Sequence, residues 1–307
     1  MRPKIVIVVG PNASGKSEFA VRLAKKINGE IISADSRQVY KGLDIGSGKV
    51  TKKEMRGVLH HCLSIADPKK VFTALDFKKC AQRAILDILS RGETPIIAGG
   101  TGFYIDAALG RVKLGGVPPN LKLRKKLAKK SATELLKILK KLDPKRAKTI
   151  EQKNPRRLIR AIEILKAKNV FRENLAQRDG ASRAIRQRAN MRVFEKNHAS
   201  PKIIWLGIKR PPGELKKRIR ARLIKRLPGI IREVKKLRRD GLSWKRLYDL
   251  GLEYRYASLY LRGKISHLQL TDQLTSQIWH YAKRQMTWFK RNKKIRWVSN
   301  SENKMLF

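Results

Sequence analysis

"KIVIVVGPNASGKSEFA", Lys4 to Ala20, decides how the rest of the chain is read. Its first half is a continuous run of apolar, mostly β-branched residues, the pattern of a strand buried on both faces of a parallel sheet. Its second half reads Gly-x-x-x-x-Gly-Lys-Ser from Gly10 to Ser17, and a helical pattern opens at Lys16. Strand, glycine-rich loop and helix in that order make a loop for holding phosphates. Gly10 and Gly15 let the backbone turn its N–H groups inward, and the helix N-terminus adds its dipole. Lys16 supplies a point charge, and the Ser17 hydroxyl is suited to ligate Mg²⁺. The whole loop, Gly10, Pro11, Asn12, Ala13, Ser14, Gly15, Lys16 and Ser17, is the expected site of a diphosphate or triphosphate.

Working outward, "EIISAD" (Glu30–Asp35) is a second strand that ends on a carboxylate. "TALDFKKCAQRAILDILSRG" (Thr73–Gly92) is an amphipathic helix, with Thr73 as N-cap and Asp76 three residues on. "TPIIAGG" (Thr94–Gly100) is a third strand. Strands alternating with helices predict an α/β fold, a P-loop NTPase-like parallel sheet flanked by helices. At "LGGVPPN" (Leu114–Asn120) the pattern turns helical, with a Ser131-x-x-Glu134 capping box and a helix over Asn154–Lys168 that has Pro155 near its start. "KIIWLGI" (Lys202–Ile208) returns to strand, followed by a basic helix over Pro212–Leu227, a long helix over Asp272–Arg291 and the short strand "KIRWVS". The expected organisation is therefore a catalytic α/β core built from residues 1–112 and 201–307, interrupted by a helical insertion over 113–200. Residues 169–200 are basic and weakly apolar and are expected to be mobile.

Charge separates the two parts of the chain. There are 73 Lys plus Arg against 24 Asp plus Glu, a net charge of +49 over 307 residues. Residues 1–110 hold 18 basic and 10 acidic residues, so almost all the excess lies beyond the phosphate loop. Long basic stretches with few carboxylates to pair point to a polyanionic partner rather than to surface ion pairs. Only Cys62 and Cys80 are present, which fits a reducing cytosol, and no metal-ligand spacing occurs. No apolar run approaches the roughly 20 residues that span a bilayer, and the N-terminus enters a strand without a signal peptide. A soluble, cytoplasmic protein with no membrane partner is expected.

Strand ends carry the remaining chemistry. Asp35 ends the second strand, where α/β folds place ligand-facing groups, and is followed by Ser36, Arg37 and Gln38, a polar cluster able to contact a base edge. Asp35 is placed to take a proton from a nucleophile; a turn cap is its other reading. Gly99-Gly100-Thr101-Gly102 closes the third strand and permits close approach of a ligand, with Thr101 as a hydrogen-bonding group. That strand lacks the terminal Asp which positions Mg²⁺ and water in phosphate-loop hydrolases, an argument against an ATPase. His60 and His61 have no partners at metal spacing and read as structural. A guanine-reading Asn-Lys-x-Asp is absent, which argues against a GTPase.

Together these segments resemble the tRNA dimethylallyltransferase (tRNA isopentenyltransferase) family, bacterial type. The resemblance rests on "GPNASGKS", "ISADSRQVYKGLDIGSGK", "HHCLSIADP", "GGTGFY", "NPRRLIRAIEI" and "YAKRQMTWFKR", which occur in family order over most of the chain. It implies that the loop holds the diphosphate of dimethylallyl diphosphate, with Mg²⁺ as cofactor at Ser17. It implies transfer of the dimethylallyl group to N6 of adenosine 37 in tRNA, with the helical insertion gripping the anticodon stem-loop. By position, Asp35 matches the general base, Thr101 the threonine beside the reaction channel, and Arg222 in "RIRARL" an arginine that supports the leaving diphosphate. Asp35, Ser36, Arg37, Gln38, Thr101, Arg124, Arg156, Arg157 and Arg160 fall in the tRNA-contacting segments, and a monomer is expected. "LGLEYRYASLYLRG" departs from the family's usual Ile-Gly-Tyr pattern. A phosphate-loop kinase of a small metabolite or nucleoside is the alternative. It shares residues 10–17 and a carboxylate base but leaves the charge asymmetry unexplained.

Overall fold

The computed structural model describes residues 3–112, 114, 116–175 and 201–298. The chain divides into two compact units, one of Met1–Lys113 with His198–Phe307 and one of Leu114–Asn197.

The larger unit is built on six parallel strands: β1 (Lys4–Val9), β2 (Gly29–Ser33), β3 (His60–His61), β4 (Thr94–Gly99), β5 (Lys202–Ile208) and β6 (Arg296–Val298), in the order β3-β2-β4-β1-β5-β6. Side chains alternate across a strand, so β1 feeds two cores at once. Val6 and Val8 pack with Phe19, Ala20, Val21 and Ala24 of α1 (Lys16–Lys26). Ile5, Ile7 and Val9 pack on the other face with residues of α3 (Ala74–Ser90) and α4 (Gly102–Ala108), α2 being the single turn Lys52–Met55. This two-sided burial is why the strand reads as an unbroken apolar run. The cap at Thr73 forms as expected, Thr73 Oγ1 accepting from the Asp76 N–H while Asp76 accepts from the Thr73 N–H at 2.8 Å.

The smaller unit holds α5 (Leu121–Leu127), α6 (Ala132–Leu142), α7 (Pro144–Thr149) and α8 (Pro155–Leu175) around Leu127, Leu135, Leu139, Ala147, Leu158 and Ile162. The Ser131–Glu134 capping box starts α6. Of the segment expected to be mobile, residues 176–200 lie outside the described residues.

After β5 the chain adds α9 (Pro212–Arg239), α10 (Trp244–Leu250), α11 (Leu252–Leu261) and α12 (His267–Lys290). The expected end of α9 at Leu227 is corrected: the helix runs through Pro228 for a further eleven residues. Proline removes one backbone hydrogen bond, but the stripe Leu215, Ile219, Leu223, Leu227, Ile230, Val234, Leu237 continues past it and stays buried. Cys62 and Cys80 are joined in a disulfide with Cα atoms 6.2 Å apart, which ties the loop after β3 to α3. No helix among the described residues is long and apolar enough to cross a membrane.

Candidate active site

Because β1, β2 and β4 are parallel neighbours, their C-terminal ends deliver three loops to one edge of the sheet. These are Gly10–Gly15, Asp35–Gln38 and Gly99–Thr101. They surround one cavity, lined among others by Lys16, Ser17, Asp35, Arg222 and Tyr281.

The phosphate loop has the geometry its sequence predicts. Gly15 sits at φ 96° as the N-cap of α1, a conformation that favours glycine. A Cβ on Gly10 would lie 2.7 Å from the Ile208 carbonyl oxygen, so the loop's first glycine is required by the close passage of β5. Since α1 begins at Lys16, its first-turn N–H groups have no acceptor within the helix and open onto the loop. The Ser14 hydroxyl is buried with no hydrogen-bond partner. Lys16 is partly buried, its Nζ 3.4 Å from the Pro11 carbonyl oxygen. Desolvation lowers its pKa to about 8; Asp35 pulls it up and Arg222 pushes it further down. An orphaned hydroxyl, open helix N–H groups and a poorly solvated ammonium all favour an anion.

Side chains missed by sequence reasoning hold the loop in place. Arg210 Nε donates to the Ser14 carbonyl at 2.8 Å and Arg218 Nε to the Ala13 carbonyl at 3.0 Å. From α12, Gln285 Oε1 accepts from the Asn12 N–H at 2.9 Å, while its Nε2 donates to the Gly100 carbonyl at 3.0 Å. One buried amide therefore fixes the phosphate loop against the turn after β4. That turn needs its glycines: a Cβ on Gly100 would lie 2.2 Å from Gln285 Nε2, and one on Gly102 2.2 Å from Trp288. A signal for Gln285 exists, a lone amide on the buried stripe Ile278, Ala282, Gln285, Phe289.

Asp35 caps a turn and faces the cavity with the same side chain. Its Oδ1 accepts from the Arg37 N–H at 2.8 Å and the Gln38 N–H at 3.3 Å, an Asx turn, while the carboxylate lines the cavity with Lys16. Thr101 joins the loops: its Oγ1 accepts from the Ser36 N–H at 3.2 Å, and Tyr281 is hydrogen-bonded to it. Arg222 reaches the cavity from α9, its Nη2 lying 3.5 Å from the Gly48 carbonyl oxygen, which also accepts from Gln38 Nε2 at 3.2 Å. Glu233, a carboxylate inside the apolar stripe of α9, accepts from the Asp44, Ile45 and Gly46 N–H groups at 2.9, 2.6 and 2.9 Å. It thereby shapes the loop that presents Gly48 to Arg222. His61 bonds to Glu30 at 2.6 Å, as a structural residue would. His60 accompanies it in β3 and also borders the cavity.

In the helical unit, Arg124 makes a bidentate pair with Glu163 at 2.8 Å through both contacts, and Arg160 binds the same carboxylate and the Val117 carbonyl. Glu163 is 1% exposed. Burial alone would raise its pKa, but hydrogen bonds from Arg124, Arg160 and the Asn120 N–H win and hold it at about 2. Arg157 pairs with Glu151 at 3.0 Å. Arg156 is exposed and pairs with no carboxylate among the described residues. No cluster of three or more His, Cys, Asp or Glu suited to a metal occurs among the described residues.

Residues 38–292 match the family model described as IPP transferase. The chain is 42% identical over 299 residues to tRNA dimethylallyltransferase 2 of Treponema denticola, covering 95% of each chain. It is 38% identical to tRNA dimethylallyltransferase 1 of Syntrophus aciditrophicus, covering 100% of this chain and 97% of that one. The crystal structure of the full-length tRNA isopentenylpyrophosphate transferase from Bacillus halodurans superposes with a TM-score of 0.69 at 32% identity, over 99% of this chain and 94% of that one. A match of this extent, on a parallel sheet carrying a phosphate loop, establishes that the chain belongs to the IPP transferase family, that of the tRNA dimethylallyltransferases.

Proposed function

We propose that the chain transfers a dimethylallyl group from dimethylallyl diphosphate to N6 of adenosine 37 in tRNA and releases diphosphate. The observation that carries the reading is the cavity in which the phosphate loop and its desolvated lysine share walls with Asp35. The exocyclic amine of adenine is a poor nucleophile because its lone pair is delocalised into the ring. Reaction therefore depends on the leaving group: the C–O bond to the allylic carbon breaks, the electron pair departs with diphosphate, and the N6 lone pair forms the new C–N bond. Asp35 accepts the N6 proton through the oxygen not held by its Asx turn. Lys16, Arg222 and the loop N–H groups stabilise the charge that collects on diphosphate. The Ser17 hydroxyl is the group that would hold a Mg²⁺, which would neutralise charge on the leaving diphosphate.

The adenine leaves its stack to reach the cavity. Ser36, Arg37, Gln38 and Thr101 border its entry. Arg124, Arg156, Arg157 and Arg160 belong to the segment that meets the anticodon stem-loop, with Arg124 and Arg160 acting through the fold they brace. The enzyme works as a monomer in the cytoplasm. The test is incubation of the chain with labelled dimethylallyl diphosphate, Mg²⁺ and bulk tRNA, followed by mapping of the label. Prenylation of adenosine 37 is expected. ATP-dependent labelling of a small metabolite, with no transfer to tRNA, would overturn the proposal in favour of a kinase.

A further inference from the structure

Glu253 stands in the active cavity without a part in the chemistry described so far. It lies in the first turn of α11, within the stretch that departs from the family's usual pattern. Arg37 brings it there. The Arg37 side chain donates to the Leu250 carbonyl while its backbone N–H donates to Asp35 Oδ1, so one residue ties the loop bearing Asp35 to the turn bearing Glu253. The charged groups facing Glu253 are Arg226 and Arg222 from α9 and Asp35 from the loop after β2; Lys16, His60 and Tyr281 border the same cavity. Burial raises the Glu253 pKa, with Asp35 adding to the rise, against the pull of its own backbone N–H and of the two arginines.

An adenine amine that faces Asp35 has an acceptor nitrogen on each side of it, N1 and N7. In a cavity closed to water, an acceptor without a donor loses its hydrogen bond outright. Guanine carries a carbonyl in place of the amine and an N–H in place of the N1 acceptor, while N7 is an acceptor in both bases, so only the N1 side tells them apart. We propose that Glu253 reads the flipped purine: its carboxyl donates a hydrogen bond to N1, beside the amine held by Asp35, and so selects adenine. The inference rests on the transferase reading above. A first-turn carboxylate that only supports α11 would act on stability and treat all bases alike.

The experiment compares wild type, Glu253→Gln and Glu253→Leu on stem-loop RNAs carrying adenosine, 1-deazaadenosine or 7-deazaadenosine at the acceptor position. It follows kcat/KM for RNA, KM for dimethylallyl diphosphate and the melting temperature. Gln keeps a donor, and its kcat/KM for the adenosine RNA should stay within about threefold of wild type; Leu should lose about 10–100-fold, the size of one unmade hydrogen bond. Neither should change KM for dimethylallyl diphosphate. 1-Deazaadenosine should lose a similar factor on wild type and on Gln, and nothing further on Leu, while 7-deazaadenosine should behave as adenosine does. The inference is overturned if Leu equals wild type, if Gln is as damaged as Leu, or if 1-deazaadenosine is not impaired on wild type. Should Leu fail to fold, equal discrimination by wild type and Gln supports the inference and its absence overturns it. A wild-type chain that prenylates no RNA at all overturns the transferase reading itself, which separates the two failures.

Discussion

Lys16 and Asp35 line one cavity, and each invites its own measurement. Burial sets the Lys16 pKa at about 8 against 10.5 for an ordinary lysine. The sign follows from linkage: between about pH 8 and 10.5 the unfolded chain holds a proton that the folded one has lost, so this group adds stability as pH rises through that window. A bound diphosphate reverses the balance by drawing the proton back. Binding of dimethylallyl diphosphate at about pH 9 should therefore take up close to one proton, read by calorimetry in buffers of different ionisation enthalpy, and Lys16→Met should abolish the uptake. Asp35 is tested with two substitutions because its Oδ1 already serves a turn. Asp35→Asn keeps an acceptor for the Arg37 and Gln38 N–H groups but removes the base, so turnover should fall about 10²–10⁴-fold with the melting temperature held. Asp35→Ala should add a stability loss of about 1 kcal/mol. Full activity in Asp35→Asn would leave the anion site standing and remove Asp35 as base.

Elements are legible in this sequence where one short-range rule suffices. The run Lys4–Val9, the cap pairs Thr73–Asp76 and Ser131–Glu134, and the loop Gly10–Ser17 each declare themselves within a few residues, and each forms. β3 did not declare itself, because two residues carry no periodicity. Pro228 reads as a stop, although the buried stripe runs on beyond it. Nor did the side chains that assemble the site across the fold. The buried stripe marks Gln285 as an unusual amide but not what it touches: it meets Asn12 from 273 positions away, and Glu233 meets Asp44 from 189 away, distances at which no local pattern names a partner. Gln285→Leu should leave the Asn12 N–H and the Gly100 carbonyl without partners, at a cost of about 2–5 kcal/mol, and should weaken dimethylallyl diphosphate binding. A melt unchanged from wild type would remove Gln285 as the clamp. In the helical unit, Glu163→Gln should cost about 3–5 kcal/mol because Arg124 and Arg160 lose their buried partner. The same pair predicts acid lability: its stabilisation is complete above about pH 4.5 and is lost as pH falls through about 2.

The whole molecule carries a net +49, far more than a diphosphate site needs. In water such a charge opposes compaction, so its persistence implies a polyanion that offsets it. Phosphate contacts release condensed counterions, and each contributes a slope of about −0.9 to the dependence of log affinity on log salt. With about 6–10 such contacts, tRNA affinity should fall about 10³–10⁵-fold between roughly 50 and 200 mM salt. The arginines of the helical unit then separate by what they already hold. Arg156 is exposed without a carboxylate partner among the described residues, whereas Arg124 is bound to Glu163 through two hydrogen bonds. Arg156→Gln should reduce the salt slope by about 1 and leave the melting temperature alone. Arg124→Gln should do the reverse, lowering stability with the slope unchanged, because Arg124 is already held by Glu163 through two hydrogen bonds. Binding titrations across a salt series, run beside thermal melts on the same preparations, read both quantities at once. A flat salt dependence in wild type would show that the charge is a solvated surface rather than a nucleic-acid interface. A lost slope in Arg124→Gln would show that this arginine exchanges Glu163 for a phosphate when RNA binds.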